Sequence, residues 1–139
     1  MNKRKVSCLI ASVVIITFAF AIKPLFRSLL SHSISSGNNI LSVMVSWWVH
    51  DFTIPDTVTK IGDGAFLACH FKSVNIPCSV TSIGNSAFRH CSEMKSVFIP
   101  PSVTNIGDDA FFGCVNLKPV VLPDSVLSLG DGVLAFVKA

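Results

Sequence analysis

The sequence predicts a β-rich solenoid, a chain wound into stacked turns of a coil, preceded by an apolar helix. The first observation is a 23-residue pattern that recurs from residue 54 onward, with one residue missing in the first unit. The second is that apolar residues in each unit alternate where a strand would run and cluster where a helical turn would run. Because one unit cannot bury its own apolar face, the units must stack on one another. The predicted domain, 47–139, consists of a half-unit at 47–53 and repeats at 54–75, 76–98, 99–121 and 122–139.

Each unit is expected to hold one short strand and one short helical turn. At the end of the second unit, Val97 and Ile99 alternate about Phe98, which predicts a strand with two inward side chains. A proline then ends the strand, since proline cannot donate to a ladder. A recurring glycine is expected to make a sharp turn with positive φ, and the residue after it to cap the helical turn. The glycines are Gly62, Gly84, Gly107 and Gly130, and the caps are Asp63, Asn85, Asp108 and Asp131.

Matching apolar side chains of successive units are expected to pile up in register inside the coil. The predicted core comprises Val58, Ile61, Phe66, Cys69, Val80, Ile83, Phe88, Cys91, Val103, Ile106, Phe111 and Cys114. The cysteine column is interpreted as packing, because Val137 takes the same position in the fourth unit and free cysteine is among the most buried residue types. Stacked rungs bring such cysteines within disulfide range, but parallel side chains seldom meet the required torsion. Cys78 stands outside this column and is expected to be exposed.

The N-terminal region, 1–27, has the layout of a membrane-directed segment. A charged start, Met1–Lys5, precedes the apolar run Val6–Ile22. The run is long enough for an uncleaved anchor in the membrane, which we favour, but cleavage near Ala21 would instead release the chain as a secreted protein. The cations before the run predict a cytoplasmic N-terminus, with the repeats outside the cytoplasm. The serine-rich stretch 28–46 is interpreted as a linker.

The charge distribution argues against a nucleic-acid partner. The formal net charge is +3, but five of the eleven Lys and Arg residues precede residue 28, so the rest of the chain carries a net charge of −2. The basic character therefore belongs to the N-terminal segment and does not form a phosphate-binding surface.

The repeated pattern IPxSVTxIGxxAFxxCxxLxxVxIP resembles the consensus of the BspA-type leucine-rich repeat family, whose members include many surface proteins. The resemblance covers about residues 49–139 and weakens in the fourth unit, where Val133, Leu134 and Val137 replace Ala, Phe and Cys. It implies a leucine-rich-repeat solenoid that is right-handed, with a parallel sheet on one side. It also implies attachment to host or matrix proteins, or another role at the cell surface.

The repeated pattern favours binding over catalysis. Polar residues recur as columns and do not converge on one pocket, so no catalytic residue, cofactor or metal site is predicted. His70 and His90 fall in different columns and so repeat no ligand spacing.

The predicted binding surface is a basic stripe beside the concave face of the sheet, suited to an acidic protein or an anionic glycan. It comprises Lys72, Lys95 and Lys118, flanked by Ser73, Ser96, Asn75 and Phe98. Three alternatives stay open. Lysine is also a favoured solvated residue at such a position, so the column is consistent with an ordinary exposed face of the coil. The C-terminal edge could self-associate, which would make the protein a structural element that stacks end to end. The chain could also be a truncated repeat protein without independent activity.

Overall fold

The computed structural model describes residues 23–37 and 49–134, and the second of these ranges forms a β-solenoid. Helix α1 spans Lys23–Ser36. Within 49–134 the strands are β1 Asp51–Thr53, β2 Lys60–Ile61, β3 Ser73–Asn75, β4 Ser82–Ile83, β5 Ser96–Phe98, β6 Asn105–Ile106 and β7 Ser128–Leu129. Strands β1 to β4 and β6 each pair with the equivalent strand one repeat further on, so the chain completes one turn of the coil per repeat.

The strands form two parallel sheets, one on each leg of the repeat. Sheet A has the order β1-β3-β5, and sheet B has the order β2-β4-β6-β7. The pairing places Val74 opposite Val97 in sheet A and Ile83 opposite Ile106 in sheet B. The 23-residue period of the sequence is therefore the register of the sheets, and equivalent residues become direct neighbours in space.

Inside the coil, equivalent apolar residues of successive repeats stack into columns. All twelve residues of the predicted core are buried, each with at most 2% of its surface exposed. The Phe66 and Phe88 rings stack with centroids 4.9 Å apart and planes 7° apart, and Phe88 stacks on Phe111 at 5.2 Å and 2°. Rings this close and this parallel require equivalent rotamers in successive rungs, which is the nearly identical packing expected of a solenoid.

The predicted helical turn is replaced by hydrogen-bonded turns in which N–H groups bond alternately within the rung and to the next rung. Within the rung, Leu67 N donates to Gly64 O at 3.0 Å. Phe66 N donates to Ala87 O at 2.8 Å, and Phe88 N donates to Ala110 O at 2.8 Å. These N–H groups are engaged by the next rung, so they do not take part in a helix within their own rung. The stacked geometry thus satisfies the backbone groups that a helix would otherwise satisfy internally.

The predicted capping residues also bond to the next rung. Asp63 Oδ1 accepts from Asn85 N at 2.7 Å, and Asn85 Oδ1 accepts from Asp108 N at 2.9 Å. Asp108 Oδ1 in turn accepts from Asp131 N at 2.9 Å. The column is a ladder of side-chain acceptors that ties each turn to the one after it, and this bonding corrects the capping interpretation.

The predicted positive φ of the Gly62 column is also wrong. Positive φ occurs two residues later, at Gly64, Ser86, Asp109 and Gly132, and again at Ala68, His90 and Gly113. The glycine column is instead required by close approach of the rungs. A Cβ atom at Gly84 would lie 2.7 Å from the backbone nitrogen of Asp63 and 2.8 Å from the carbonyl carbon of Gly62.

Helix α1 covers the first turn of sheet B, which corrects the first part of the predicted linker at 28–46. Leu30 and Ile34 lie one helical turn apart and are buried at 6% and 0% exposure. Gly62 N donates to Ile34 O at 2.8 Å, so the helix end supplies the acceptor that a preceding rung would supply. Residues 28–36 are helical because their apolar face has the open end of a solenoid to cover, a partner that local sequence does not reveal.

The half-unit begins sheet A as the sequence predicts, since Phe52 in β1 pairs with Val74 and is buried. The predicted apolar helix at Val6–Ile22 lies outside the described residues. Within residues 23–37 and 49–134, no helix is both long enough and apolar enough to cross a membrane.

Candidate binding surface

The three predicted lysines form a column at the entry to sheet A. Lys95 N donates to Lys72 O at 2.8 Å and Lys118 N donates to Lys95 O at 3.1 Å, which fixes their backbones in adjacent rungs. All three side chains are exposed. Because parallel neighbours lie roughly 4.8 Å apart, the three lysine backbones repeat at about that spacing along the coil.

The serine column beside the lysines is partly engaged by protein groups. Ser73 Oγ donates to Asp51 Oδ1 at 2.6 Å, so this hydroxyl is already satisfied and a carboxylate lies at the N-terminal end of the stripe. Ser96 pairs with Ser73 in the sheet and is exposed. The Asp51 carboxylate therefore offsets part of the positive charge at the Lys72 end of the stripe.

The next outward column changes from polar to apolar along the coil. Thr53, Asn75 and Phe98 are register partners in sheet A, and Val121 follows Phe98 by one 23-residue period, at the end of the third repeat. Phe98 is 63% exposed and Val121 is 86% exposed. Large apolar side chains with this much exposure are uncommon choices for an outward strand position, and together they form an apolar patch next to the basic stripe.

This patch borders a shallow groove of ≈ 290 Å³ between the third and fourth rungs. Its outer lining is Phe98, Pro101, Pro119, Val121 and Pro123. Of these residues, only Phe98 was predicted to belong to the binding surface. Val121 could have been predicted as well, because it lies one 23-residue period after Phe98.

The cysteine column is a packing element. Cys91 Sγ donates to Phe66 O at 3.0 Å and Cys114 Sγ donates to Phe88 O at 3.1 Å, each reaching back to the preceding rung. Interaction with the neighbouring Cys114 thiol, together with burial, raises the pKa of the Cys91 thiol above its ordinary value. The Cys91 thiol therefore remains a protonated donor to a carbonyl of the preceding turn, and Cys78 is exposed as expected.

Other polar side chains make local contacts. Arg89 Nη1 lies 3.4 Å from Asp109 Oδ2, and its guanidinium stands 4.9 Å from the centre of the Phe112 ring. His70 Nδ1 lies 3.4 Å from Glu93 Oε1. Among residues 23–37 and 49–134, no group of three or more His, Cys, Asp or Glu side chains is placed to hold a metal ion.

Comparison with known proteins places these features in a family. The model of the BspA type leucine rich repeat region, in six copies, matches residues 46–138. No significant match is found among functionally curated proteins.

Three crystal structures show the same fold. A leucine-rich repeat protein from Bacteroides capillosus is 30% identical, with a TM-score of 0.58 over 63% of this chain and 70% of that one. A leucine-rich repeat protein from Bacteroides ovatus is 36% identical, with a TM-score of 0.57 over 63% of this chain and 25% of that one. The leucine rich repeat protein of T. pallidum, 24% identical with a TM-score of 0.56 over 62% of this chain and 54% of that one, is similar in fold alone. The chain thus spans 70% of the first relative and a quarter of the second. Its repeat pattern, its stacked rungs and the match over 46–138 show that it belongs to the BspA-type leucine-rich repeat family.

Proposed function

We propose that this protein is a non-catalytic binding module that works outside the cytoplasm, and that the outward face of sheet A contacts an acidic protein or an anionic glycan. The observation that carries the proposal is the lysine column. Backbone hydrogen bonds hold Lys72, Lys95 and Lys118 in adjacent rungs, with all three side chains exposed. Serine and asparagine side chains beside them, at Ser96 and Asn75, add neutral hydrogen-bonding groups.

A regular column suits a partner with several negative charges. A single exposed ion pair contributes only about 0.2–1 kcal/mol, so one lysine would not hold a ligand. Lysine side chains whose backbones repeat at roughly 4.8 Å place each charge within a Debye length of its neighbour at physiological salt, so their potentials add. The partner that gains most is therefore a polyanion, and its binding should weaken as salt increases.

The proposed location rests on the N-terminal sequence. The basic start and the apolar run Val6–Ile22 direct the repeats, 47–139, across the membrane. The segment 1–27 then acts as an anchor, or as a signal peptide if cleavage occurs near Ala21. Mass determination of the mature protein tests the choice, because an anchor retains 1–27 and a cleaved signal peptide does not.

Charge reversal of the central lysine tests the binding surface. We expect Lys95→Glu in the full chain, held in neutral detergent, to weaken the binding of heparin and of poly-glutamate about tenfold or more at low salt. The matched control is Lys60→Glu, which makes the same change of charge on sheet B and should leave binding within about twofold. If both variants bind like the wild type, or both lose binding equally, the sheet A face is not the binding surface.

A second candidate function is end-to-end assembly through the C-terminal rung. Its specific support is the exposure of Leu127 at 85% and Leu129 at 51%, since Leu129 lies in β7 at the edge of sheet B. Sedimentation of the full chain in density-matched detergent should then show a concentration-dependent oligomer that Leu127→Lys abolishes. A monomer at all concentrations would exclude this candidate.

A further inference from the structure

The groove of ≈ 290 Å³ on sheet A is lined by Phe98 and Pro119, which follow Lys95 by three residues and Lys118 by one residue in the chain. Lys95 immediately precedes β5, and Phe98 is the last residue of that strand, with both side chains exposed. Three residues of extended chain separate them, or roughly 10 Å at about 3.3 Å per residue. Lys118 and Val121 repeat the same arrangement in the next rung. A ligand that spans the surface therefore meets a cation at one side and an apolar side chain at the other, twice in register.

The walls of the groove select against a purely polar ligand. Pro101, Pro119 and Pro123 have no backbone N–H group, so these three positions offer no main-chain donor to a sulfate, phosphate or sugar hydroxyl. Phe98 and Val121 supply apolar surface instead. An anionic glycan could engage the lysines, but it would leave the apolar half of the surface in contact with water.

The concave shape also selects among apolar ligands. A bilayer surface is broad and meets protruding side chains, whereas a recess between two rungs accepts a single side chain. The ligand that satisfies both the charge and the shape is a polypeptide segment in the polyproline II conformation, with an acidic residue and an apolar residue three positions apart. Three residues make one turn of this conformation, so both side chains lie on the same face, about 9 Å apart.

We infer that the groove formed by Phe98, Pro101, Pro119, Val121 and Pro123, together with Lys95 and Lys118, binds a segment of a partner protein in the polyproline II conformation that carries an acidic anchor and an apolar anchor three residues apart. This inference rests on the proposed function, because it identifies the partner of the same sheet face as an acidic polypeptide. It adds that the apolar anchor provides affinity that charge alone does not.

The experiment uses two labelled peptides and the full chain in neutral detergent, with detergent alone as the blank. In the first peptide, glutamate and leucine lie three residues apart, separated by serines. In the second, serine replaces each leucine. We expect the leucine peptide to bind about tenfold tighter by fluorescence anisotropy, since burial of a leucine side chain in the groove is strongly favourable.

Variants of exposed residues separate the two halves of the site. Phe98→Ser and Val121→Ser should each lower the affinity for the leucine peptide to that for the serine peptide, and should leave heparin binding unchanged. Lys95→Glu should weaken both peptides. The matched control is Leu127→Ser, which removes a side chain of similar exposure from the sheet B side and should bind like the wild type.

The outcomes distinguish the groove from the stripe. If neither peptide is preferred while Lys95→Glu still weakens heparin binding, the groove inference is overturned and the proposed function stands. If Lys95→Glu changes nothing, both are overturned. A further experiment adds mixed micelles that contain phosphatidylserine as a competitor of the leucine peptide. Displacement of the leucine peptide by this lipid, with loss of lipid binding in Phe98→Ser, would replace the polypeptide partner with a membrane surface and so overturn the inference.

Discussion

Replacement of Gly107 by alanine should destabilise the solenoid, because two rungs meet there with no room for a side chain. A methyl group at Gly107 would lie 2.6 Å from the backbone nitrogen of Asn85 and 2.8 Å from the carbonyl carbon of Gly84. Both are backbone atoms, so the rungs must move apart. That movement stretches the bonds from Gly107 N to Ile83 O and from Asp108 N to Asn85 Oδ1, each now 2.9 Å long.

The expected loss of unfolding free energy is several kcal/mol. Overpacking costs about 1–3 kcal/mol, and each weakened hydrogen bond costs up to about 0.5–1.5 kcal/mol. Alanine also restricts the unfolded chain, which returns about 0.4–1 kcal/mol. The net expectation for Gly107→Ala is therefore a loss of roughly 2–4 kcal/mol, a large fraction of the stability of a small domain.

Urea denaturation of the full chain, followed by circular dichroism, measures this loss. A second variant, Gly107→Asn, distinguishes close approach of the rungs from a requirement for positive φ. Asparagine tolerates positive φ better than alanine but is larger, so close approach predicts that Gly107→Asn is at least as destabilising as Gly107→Ala. Gly64→Asp is the control. Gly64 has a φ of 62° and its added Cβ would meet only a side-chain atom 4.0 Å away, while Asp109 holds the equivalent position at 54°. This control should lose at most about 1 kcal/mol.

The reasoning would be refuted if Gly107→Ala were as stable as the wild type. It would also be refuted if Gly107→Asn were clearly more stable than Gly107→Ala, since that order indicates a requirement for positive φ. The first result would mean that the contact between rungs is not limiting, and the second would mean that the glycine column has a conformational cause.

Three further changes test the stacked columns. Phe88→Ala should lower the unfolding free energy by about 3–5 kcal/mol in urea denaturation, whereas Phe98→Ala should stay within about 0.5 kcal/mol, and equal effects would contradict the assigned interior. Asn85→Ala removes the acceptor for Asp108 N and should cost about 1 kcal/mol in the same assay, so an unchanged midpoint would exclude a stabilising ladder. Because burial and the raised pKa keep Cys91 protonated, a thiol reagent should label Cys78 in the native chain and Cys91 only after unfolding, as read by peptide mass mapping. Rapid labelling of Cys91 in the native chain would contradict its burial in the interior.

The sequence predicted the repeat, the interior and the order of the columns. Val, Ile, Phe and Cys recur at a fixed interval, and a repeating chain has one economical way to bury them, which is to stack equivalent residues. The repeat period alone therefore predicts the register that places Phe66, Phe88 and Phe111 in one stack. The same register places Lys72, Lys95 and Lys118 in one exposed column.

The local interpretations failed where bonding runs between rungs. Glycine followed by Asp or Asn, then by Ala and Phe, is locally consistent with a turn and a capped helix. In the structure, Asp63 and Phe66 bond to residues more than 20 positions later along the chain. Local sequence cannot show this, because the competing partner belongs to another repeat.

Sequence alone thus determined that the chain coils and which side chains fill the coil, because periodicity fixes both. The tertiary structure decided why Gly62 and its equivalents are glycine, what covers the first rung, and where the exposed apolar residues meet the lysines. Each of these depends on distances between segments remote in sequence. Helix α1 illustrates the reason: its buried Ile34 has a partner only after the first rung has formed an open end to receive it.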